Sequence, residues 1–314
     1  MSFSTQVKEE LLHRQDVFGA KPKACCHHAE LYGLMLCNRD FSKSEMSIKT
    51  ENSDIAEKYA RGIEEITGNM PAISCSSAGK YRVQVTSLED RKIVLAAFGH
   101  SGNEVTQRLN RANLEYDCCN AAVLRGAFLS CGTITDPEKD YHLEFILSHK
   151  VLCNDFMKLF SELDLQPKYV LRNGAHVIYF KDSESVEDLL TLMGATESTL
   201  ELMGTKMYKD MRNQVNRRMN FENANSSRSF DAAYKQMEAI RYIEEQKGLQ
   251  YLPNDLRELA ILRKENPDYT LNDLADNLKT PISKSGVNHR LKRILETAED
   301  LRLAEKKAAA KEKK

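Results

Sequence analysis

The sequence predicts an α+β protein in which two similar αββαββα lobes are followed by an all-α helix-turn-helix domain. Three observations lead to this fold class: an internal repeat in the first two-thirds of the chain, an apolar pattern of short helices near the C-terminus, and an uneven distribution of charge. The chain has 314 residues, of which 41% are hydrophobic and 29% are charged. This composition is typical of a folded protein with about two or three domains.

The internal repeat pairs residues 25–37, CCHHAELYGLMLC, with residues 118–130, CCNAAVLRGAFLS. A cysteine pair, an alanine, two leucines and a glycine match at one offset of 93 residues. Gly33 and Gly126 fall inside predicted helices, where glycine is unfavourable unless two backbones must approach closely. The repeat therefore predicts two pseudo-symmetric lobes whose glycine-bearing helices touch.

The elements after each glycine-bearing helix are predicted in the same order in both copies. In the first copy they are a strand at 46–49, a helix at 55–66, strands at 72–75 and 81–85, and a helix at 88–98. In the second copy they are a strand at 142–147, a helix at 151–163, strands at 169–171 and 176–180, and a helix at 185–193. We therefore expect a first lobe with an N-terminal helix over residues 1–110 and a second lobe over residues 111–204.

Residues 270–294, TLNDLADNLKTPISKSGVNHRLKRI, predict two short helices joined by a tight turn. Thr270 is expected to cap the first helix together with Asp273. Pro281 ends that helix because it lacks a backbone donor and disfavours helical geometry in the preceding residue. An amphipathic helix before Asn266 supplies the third helix of such a unit, so residues 251–303 are expected to form a helix-turn-helix domain.

The second helix of this motif is predicted to carry the side chains that contact duplex DNA. Val287, Leu291 and Ile294 recur at i, i+4 and i+7 and should face the core, which leaves the polar residues outside. The candidate DNA-binding residues are Ser283, Lys284, Ser285, Asn288, His289, Arg290, Lys292 and Arg293. Asn288 and Arg290 suit adenine and guanine edges, whereas Lys292 and Arg293 suit phosphates. The alternative is the solvated basic face of an ordinary three-helix unit.

The charge of the chain is divided unevenly although the net charge is only −1. Residues 205–314 contain 23 Lys+Arg and 17 Asp+Glu, whereas residues 1–204 contain 22 and 29. A cation-rich end on an acidic body is consistent with a DNA-binding tail. Residues 304–314 are expected to be a frayed or disordered basic tail.

Residues 205–250 are expected to form a helical linker with a break between Arg218 and Ser229, because the stretch 211–229 is rich in Asn, Arg and Ser. Four arginines fall in this stretch, Arg212, Arg217, Arg218 and Arg228, and Arg and Asn side chains contact phosphates and minor-groove edges. Arg217 and Arg218 are therefore further candidates for DNA contact. The alternative is a simple hinge between domains.

The eight cysteines are expected to be reduced and buried. Cys25-Cys26-His27-His28 suggests zinc, but adjacent residues on a helix point about 100° apart and cannot surround a metal without spaced partners. The second copy has the cysteine pair without the histidines, which favours small buried side chains over ligands. No cofactor, no metal site and no catalytic residue is predicted.

Membrane insertion and secretion are not expected. No apolar run approaches the roughly 20 residues that span a bilayer, and the N-terminus MSFSTQVKEELLHRQ is charged where a signal peptide would be apolar. The sequence therefore predicts a cytoplasmic protein.

The two lobes resemble the LAGLIDADG homing-endonuclease fold, in which glycine-bearing helices pack between two four-stranded sheets. The resemblance implies a metal-binding carboxylate at the eighth motif position of each lobe, which is Asn38 in the first and Cys131 in the second. Neither side chain is a Mg²⁺ ligand, so the body is expected to be catalytically inactive. The alternative is an endonuclease that uses displaced carboxylates such as Asp40 and Asp136.

Six spaced motifs in order resemble the bacterial WhiA family across nearly the whole chain: CCxxAELYG, AAVLRGAFLSCGTITDPEKDYHLEF, NRRMNFENAN, LPNDLRELAILR, TLNDLADNL and SKSGVNHRLKRI. The resemblance implies a sequence-specific DNA-binding regulator, not an enzyme. It also implies a connection with transcription, cell division, chromosome segregation and, in spore-forming relatives, sporulation. The expected partners are double-stranded DNA and a protein of transcription or cell division, with no membrane, and the expected location is cytoplasmic and nucleoid-associated.

Overall fold

Each of the two copies of the internal repeat forms one four-stranded antiparallel sheet. The computed structural model describes residues 2–13 and 23–312, and the chain divides into the units Met1–Asp210 and Met211–Lys314. Helix α1 (Phe3–His13) precedes the first copy. The first copy consists of α2 (Ala24–Leu36), β1 (Asp40–Phe41), β2 (Met46–Thr50), α3 (Ser53–Thr67), β3 (Ala72–Cys75), β4 (Tyr81–Gln84) and α4 (Leu88–Ala97). The second copy consists of α5 (Asp117–Cys131), β5 (Gly132–Ile134), β6 (Leu143–Leu147), α6 (Lys150–Glu162), β7 (Lys168–Arg172), β8 (Ala175–Phe180) and α7 (Ser183–Met193).

The strand order is the same in both sheets, β1-β2-β4-β3 in the first and β5-β6-β8-β7 in the second. The central pairs are antiparallel, with Ile48 opposite Val83 and Phe145 opposite Ile178. These residues are buried on the face that the helices cover. The predicted α+β fold class with two αββαββα lobes is confirmed. The short strands β1 and β5 complete each sheet.

The glycine-bearing helices α2 and α5 contact each other along their lengths, as the sequence predicted. A Cβ atom added to Gly33 would collide with the Val123 carbonyl oxygen, and one added to Gly126 would collide with the Glu30 carbonyl oxygen. The backbones are in direct contact at this crossing, so only glycine fits at either position. Arg125 Nε donates to Glu30 Oε2 at 2.7 Å, which adds a buried ion pair to the same interface.

The remaining helices are α8 (Thr196–Lys247), α9 (Asn254–Glu265), α10 (Leu271–Asp276) and α11 (Lys284–Glu312). The boundary between the two units falls inside α8. The predicted break between Arg218 and Ser229 is wrong, because the stretch is continuous α-helix. Residues 205–247 contain neither glycine nor proline, and Arg218 pairs with Glu222 one turn later, so nothing interrupts the helix.

The predicted frayed tail is also wrong over residues 304–312, which continue helix α11. The sequence there is rich in Ala, Glu and Lys, which are strong helix formers. Residues 313 and 314 lie outside the described residues. No helix in the described part of the chain combines the length and apolar character that a membrane span requires.

Candidate nucleic-acid interface

The four helices of the second unit share one apolar core. The C-terminal part of α8 contributes Ile240 and Ile243, and α9 and α10 contribute leucines and alanines. Val287, Leu291 and Ile294 of α11 are at most 1% exposed, so the face predicted to be buried is buried. The opposite side of α11 is therefore fixed in orientation by packing.

Hydrogen bonds from four backbone amides hold α10 and the turn between α10 and α11. The Asp273 amide donates to Thr270 Oγ1 at 3.2 Å and the Thr270 amide donates to Asp273 Oδ2 at 2.8 Å, which is the predicted capping box. The Ile282 amide donates to the Ala275 carbonyl at 3.3 Å, and the Lys279 amide donates to Glu258 Oε1 at 2.7 Å. The start of α11 is thereby placed on a rigid support.

Ser283 caps helix α11. Its Oγ accepts a hydrogen bond from the Gly286 amide at 3.1 Å, and its carbonyl accepts one from the Val287 amide at 3.0 Å. A serine in this position satisfies amides that a helix start leaves unpaired. The hydroxyl is exposed at the tip of the helix and keeps its own proton as a donor.

An exposed row of polar side chains runs along the first turns of α11. Lys284, Asn288 and Lys292 recur every four residues and lie on one face, with Ser285 and His289 beside them. All five residues are exposed. The structure therefore brings these five predicted residues together on the outer side of a helix that is anchored on its inner side.

Arg290 and Arg293 point toward α9 instead of along this row. Arg290 Nε lies 3.7 Å from Asp255 Oδ2, and Arg293 Nη1 lies 3.7 Å from the same oxygen. The Arg290 side chain is 25% exposed. Both separations are longer than a hydrogen bond, so the two guanidinium groups share Asp255 loosely. The role of Arg290 at base edges stays a prediction, and Asp255 competes for it.

A cleft between α8 and α11 brings Arg228, one of the linker arginines considered for DNA contact, together with Lys235, which the sequence did not indicate. Arg228 and Lys235 line it from α8, while Asn288 and Lys292 line it from α11. Asp231 is the acidic residue on the same wall. Arg228 and Lys235 are seven residues apart in the chain, which places them on one face of a helix. The seven-residue spacing could have indicated Lys235 from the sequence. The predicted break in the linker prevented this, because it separated Arg228 from the helix that carries Lys235.

Arg217 and Arg218 lie on α8, and both are exposed. Arg218 Nε donates to Glu222 Oε1 at 2.9 Å on the same helix. An exposed pair of this kind is worth only about 0.3–0.5 kcal/mol, so it leaves Arg218 available to another partner. The structure places neither arginine on the wall of the cleft.

The buried residue Arg263 joins α9 to α8 beside this cleft. Its Nε donates to Gln236 Oε1 at 3.0 Å, and its Nη1 donates to the Tyr269 carbonyl at 2.6 Å. Burial lowers the pKa of the guanidinium, but these acceptors hold it in place. Gln236 itself lines the cleft, so the bond orients a residue of the candidate interface.

The two positions at which the LAGLIDADG resemblance would require carboxylates hold other chemistry. Asn38 Nδ2 donates to the Leu34 carbonyl at 2.7 Å. Cys131 is a free thiol, and its hydrogen bond with Cys37 adds to burial in raising the pKa of the Cys37 thiol. Neither arrangement resembles the oxygen ligands of Mg²⁺.

The displaced carboxylates are engaged locally. Asp40 Oδ2 accepts a hydrogen bond from Ser47 Oγ at 3.0 Å, inside the β1–β2 pair. Asp136 Oδ1 accepts one from the Glu138 amide at 2.9 Å, in the turn that follows β5. Each carboxylate therefore has a structural role in its own turn or strand pair.

Comparisons with known proteins agree on one family. The chain matches the WhiA LAGLIDADG-like domain over residues 120–212 and the WhiA C-terminal HTH domain over residues 215–298. It is 36% identical to the probable cell division protein WhiA of Alkaliphilus metalliredigens over 95% of this chain and 98% of the relative. It is 35% identical to the protein of the same name from Clostridium botulinum over 96% of this chain and 99% of the relative. The crystal structure of full-length DUF199/WhiA from T. maritima has the same fold, with a TM-score of 0.55, 22% identity, and coverage of 96% of this chain and 99% of that one.

Proposed function

Because the chain belongs to the WhiA family, we propose that it is a sequence-specific DNA-binding regulator of transcription that acts in cell division. The relatives carry the name probable cell division protein. The observation that carries the proposal is the exposed row Lys284, Asn288 and Lys292 on a helix whose other side is fixed in the core. Chromosome segregation, and sporulation in spore-forming relatives, belong to the same proposal, as do nucleoid association and a protein partner in transcription or cell division.

In this proposal, the first turns of α11 enter the major groove. Asn288 reads an adenine, because its amide can donate to N7 and accept from N6 only with that base. Ser285 and His289 lie next to it and supply further donors toward base edges. Lys284 and Lys292, at the two ends of the row, contact phosphates and set the register of the helix on the duplex.

Arg290 and Arg293 act at the edge of this contact. To reach a guanine or a phosphate, Arg290 must leave Asp255, from which it is 3.7 Å away. The exchange is feasible because the existing pair is loose and Asp255 keeps Arg293. Arg290 therefore contributes to specificity only after this rearrangement, whereas Asn288 is ready in the free protein.

The cleft cations extend the phosphate contact onto α8. Arg228 and Lys235 face the same cleft as Lys292, so the backbone of one DNA strand passing there would meet cations from both helices. Arg217 and Arg218 lie further along α8 and are proposed as additional phosphate contacts. Ser283 adds a hydroxyl donor at the tip of α11.

The LAGLIDADG-like body is proposed to be catalytically inactive. Hydrolysis of a phosphodiester by such sites needs metal-held oxygens beside both the attacking and the leaving groups. The matching positions hold an amide that caps its own helix and a thiol, which supports the proposal. The competing function is DNA cleavage through Asp40 and Asp136, and the bonds those residues make in their own turns argue against it.

A gel-shift titration of full-length variants tests the assignment of Asn288. The probe is a duplex selected from a random pool by the wild-type protein, together with a scrambled duplex of the same composition. Asn288→Ala should weaken binding to the selected duplex by about 1–3 kcal/mol and leave binding to the scrambled duplex unchanged. Glu299→Ala, an exposed change further along α11, is the control. If Asn288→Ala bound each probe with the same affinity as the wild type does, Asn288 would have no part in base recognition.

A further inference from the structure

Four cysteines from the two halves of the repeat converge at the N-terminal ends of α2 and α5. Cys25 Sγ lies 4.0 Å from Cys118 Sγ, and these two residues are 93 positions apart, the same offset as the repeat. The sulfurs of Cys25, Cys118 and Cys119 all lie within 4.8 Å of one another. Cys26 packs into the same small cluster as these three cysteines.

The convergence follows from the pseudo-symmetry of the helices. Lys23 and Tyr116 are the N-cap residues of α2 and α5, so each cysteine pair occupies the same two positions of its first turn. Neither N-cap side chain makes a capping hydrogen bond. The partial positive charge of both helix starts therefore acts on the sulfurs, and such a field stabilises thiolates.

The neighbouring histidines do not take part in this cluster. His27 Nε2 lies 2.7 Å from Glu65 Oε2, and His28 Nε2 lies 2.9 Å from Asn113 Oδ1. The ligand set is therefore sulfur alone. In the sequence, Cys25 and Cys26 have no spaced partners for a metal site, but Cys118 and Cys119 of α5 supply them.

We propose that Cys25, Cys26, Cys118 and Cys119 bind one Zn²⁺ as a closed tetrathiolate site that joins the two lobes. A zinc–sulfur distance of about 2.3 Å gives sulfur–sulfur edges of about 3.8 Å in a tetrahedron. The Cys25–Cys118 separation of 4.0 Å is close to such an edge. The other edges require rotations about the side-chain bonds of the half-buried cysteines.

The site has the chemistry of a structural zinc centre. Four thiolates leave no open position for substrate or water, so the ion ties the two helix ends together and performs no reaction. It lies at the end of α2 opposite to Asn38, and is therefore separate from the position at which the nuclease family would hold metal. Binding converts the thiols to thiolates and releases their protons to solvent.

The metal content of the full-length protein tests the proposal. Protein expressed with zinc and purified under reducing conditions should contain about one zinc per chain by mass spectrometry of the metal. Cys25→Ser and Cys118→Ser should each lower the zinc content at least about fivefold, because each removes a ligand. Cys75→Ser is the matched control, since Cys75 is an exposed cysteine on β3, and it should keep the wild-type content.

Cobalt gives a second readout that reports geometry. Co²⁺ added to the metal-free wild type should produce thiolate charge-transfer absorption and the strong visible bands of tetrahedral cobalt, and Cys118→Ser should weaken both. Far-ultraviolet circular dichroism identifies any variant that fails to fold. If Cys118→Ser does so, Cys25→Ser carries the comparison.

Three results would overturn the proposal. The first is wild-type protein that purifies without zinc and shows no cobalt–thiolate absorption when reduced. The second is zinc content that is unchanged in both Cys25→Ser and Cys118→Ser. A Cys25–Cys118 disulfide in the wild type, with no metal bound after its reduction, would replace the zinc site with a redox pair and count against it equally.

Discussion

Neutralising the two lysines on opposite walls of the α8–α11 cleft should weaken DNA binding by a calculable amount. Lys235 and Lys292 are exposed, and the Lys292 Nζ atom lies 3.8 Å from the exposed Glu296 carboxylate, a pair worth little in water. Each phosphate that a lysine neutralises adds close to 0.9 to the slope of log K against log salt. The double variant Lys235→Gln, Lys292→Gln should therefore lower the slope by about 1.8.

The corresponding loss of affinity follows from the same relation. At about 0.1 M salt, a slope difference of 1.8 corresponds to roughly 60-fold weaker binding, or about 2.5 kcal/mol. The loss should be equal on selected and scrambled duplexes, because phosphates carry no sequence information. Fluorescence anisotropy of the full-length protein at four or more salt concentrations measures both the slope and the affinity.

A charge-matched control separates a local contact from the effect of net charge. Lys80 and Lys92 are exposed lysines of the first unit and pair with Glu51 and Glu89. Lys80→Gln, Lys92→Gln changes the total charge by the same amount and should leave the slope within error of the wild type. Equal slopes in all three proteins, or equal losses in both double variants, would refute the assignment of the cleft.

Three further predictions concern the first unit. Gly126→Ala should lower the free energy of unfolding by about 3 kcal/mol in urea titrations, because its Cβ meets the carbonyl of the opposing helix, whereas Gly204→Ala, which meets nothing, should not destabilise. Burial raises the pKa of the Glu30 carboxyl, but its cationic partners outweigh this and hold the pKa below the ordinary 4.5. Glu30 therefore adds stability above pH 4.5 that is lost as the pH falls through the lower folded pKa. Glu30→Gln should make the free energy of unfolding fall less steeply in acid. An equally steep fall in the variant would count against the ion pair. Plasmid incubated with Mg²⁺ or Mn²⁺ should stay uncut, and metal-dependent cutting abolished by Asp40→Asn or Asp136→Asn would reverse the conclusion on catalysis.

The repeat and the helix-turn-helix could be predicted because their signals are local. Gly33 and Gly126 mark the helix contact, since glycine inside a helix has a cost that only a close approach offsets. Val287 and Leu291 mark the buried face of α11 by their spacing. The strands β1 and β5 have two and three residues, too few for alternation to be visible in the sequence.

The remaining features depend on contacts between distant parts of the chain or on competing signals. The Asn and Ser residues of 211–229 indicate turns, yet the absence of glycine and proline allows the helix to continue. The link between Arg290 and Asp255 joins two helices and has no sequence pattern. The meeting of Cys25 with Cys118 does have one, because residues at the repeat offset come together where they face the pseudo-two-fold axis between the paired helices.

Mapping of binding sites across the genome in living cells tests the central claim most directly. The wild-type protein should occupy discrete sites that share one sequence motif. Asn288→Ala, expressed at the same level, should lose those sites and spread over the chromosome, because its phosphate contacts remain while base discrimination is lost. A motif and site occupancy unchanged by Asn288→Ala, or a wild-type protein without any preferred sites, would contradict the account of α11 as the DNA-reading helix.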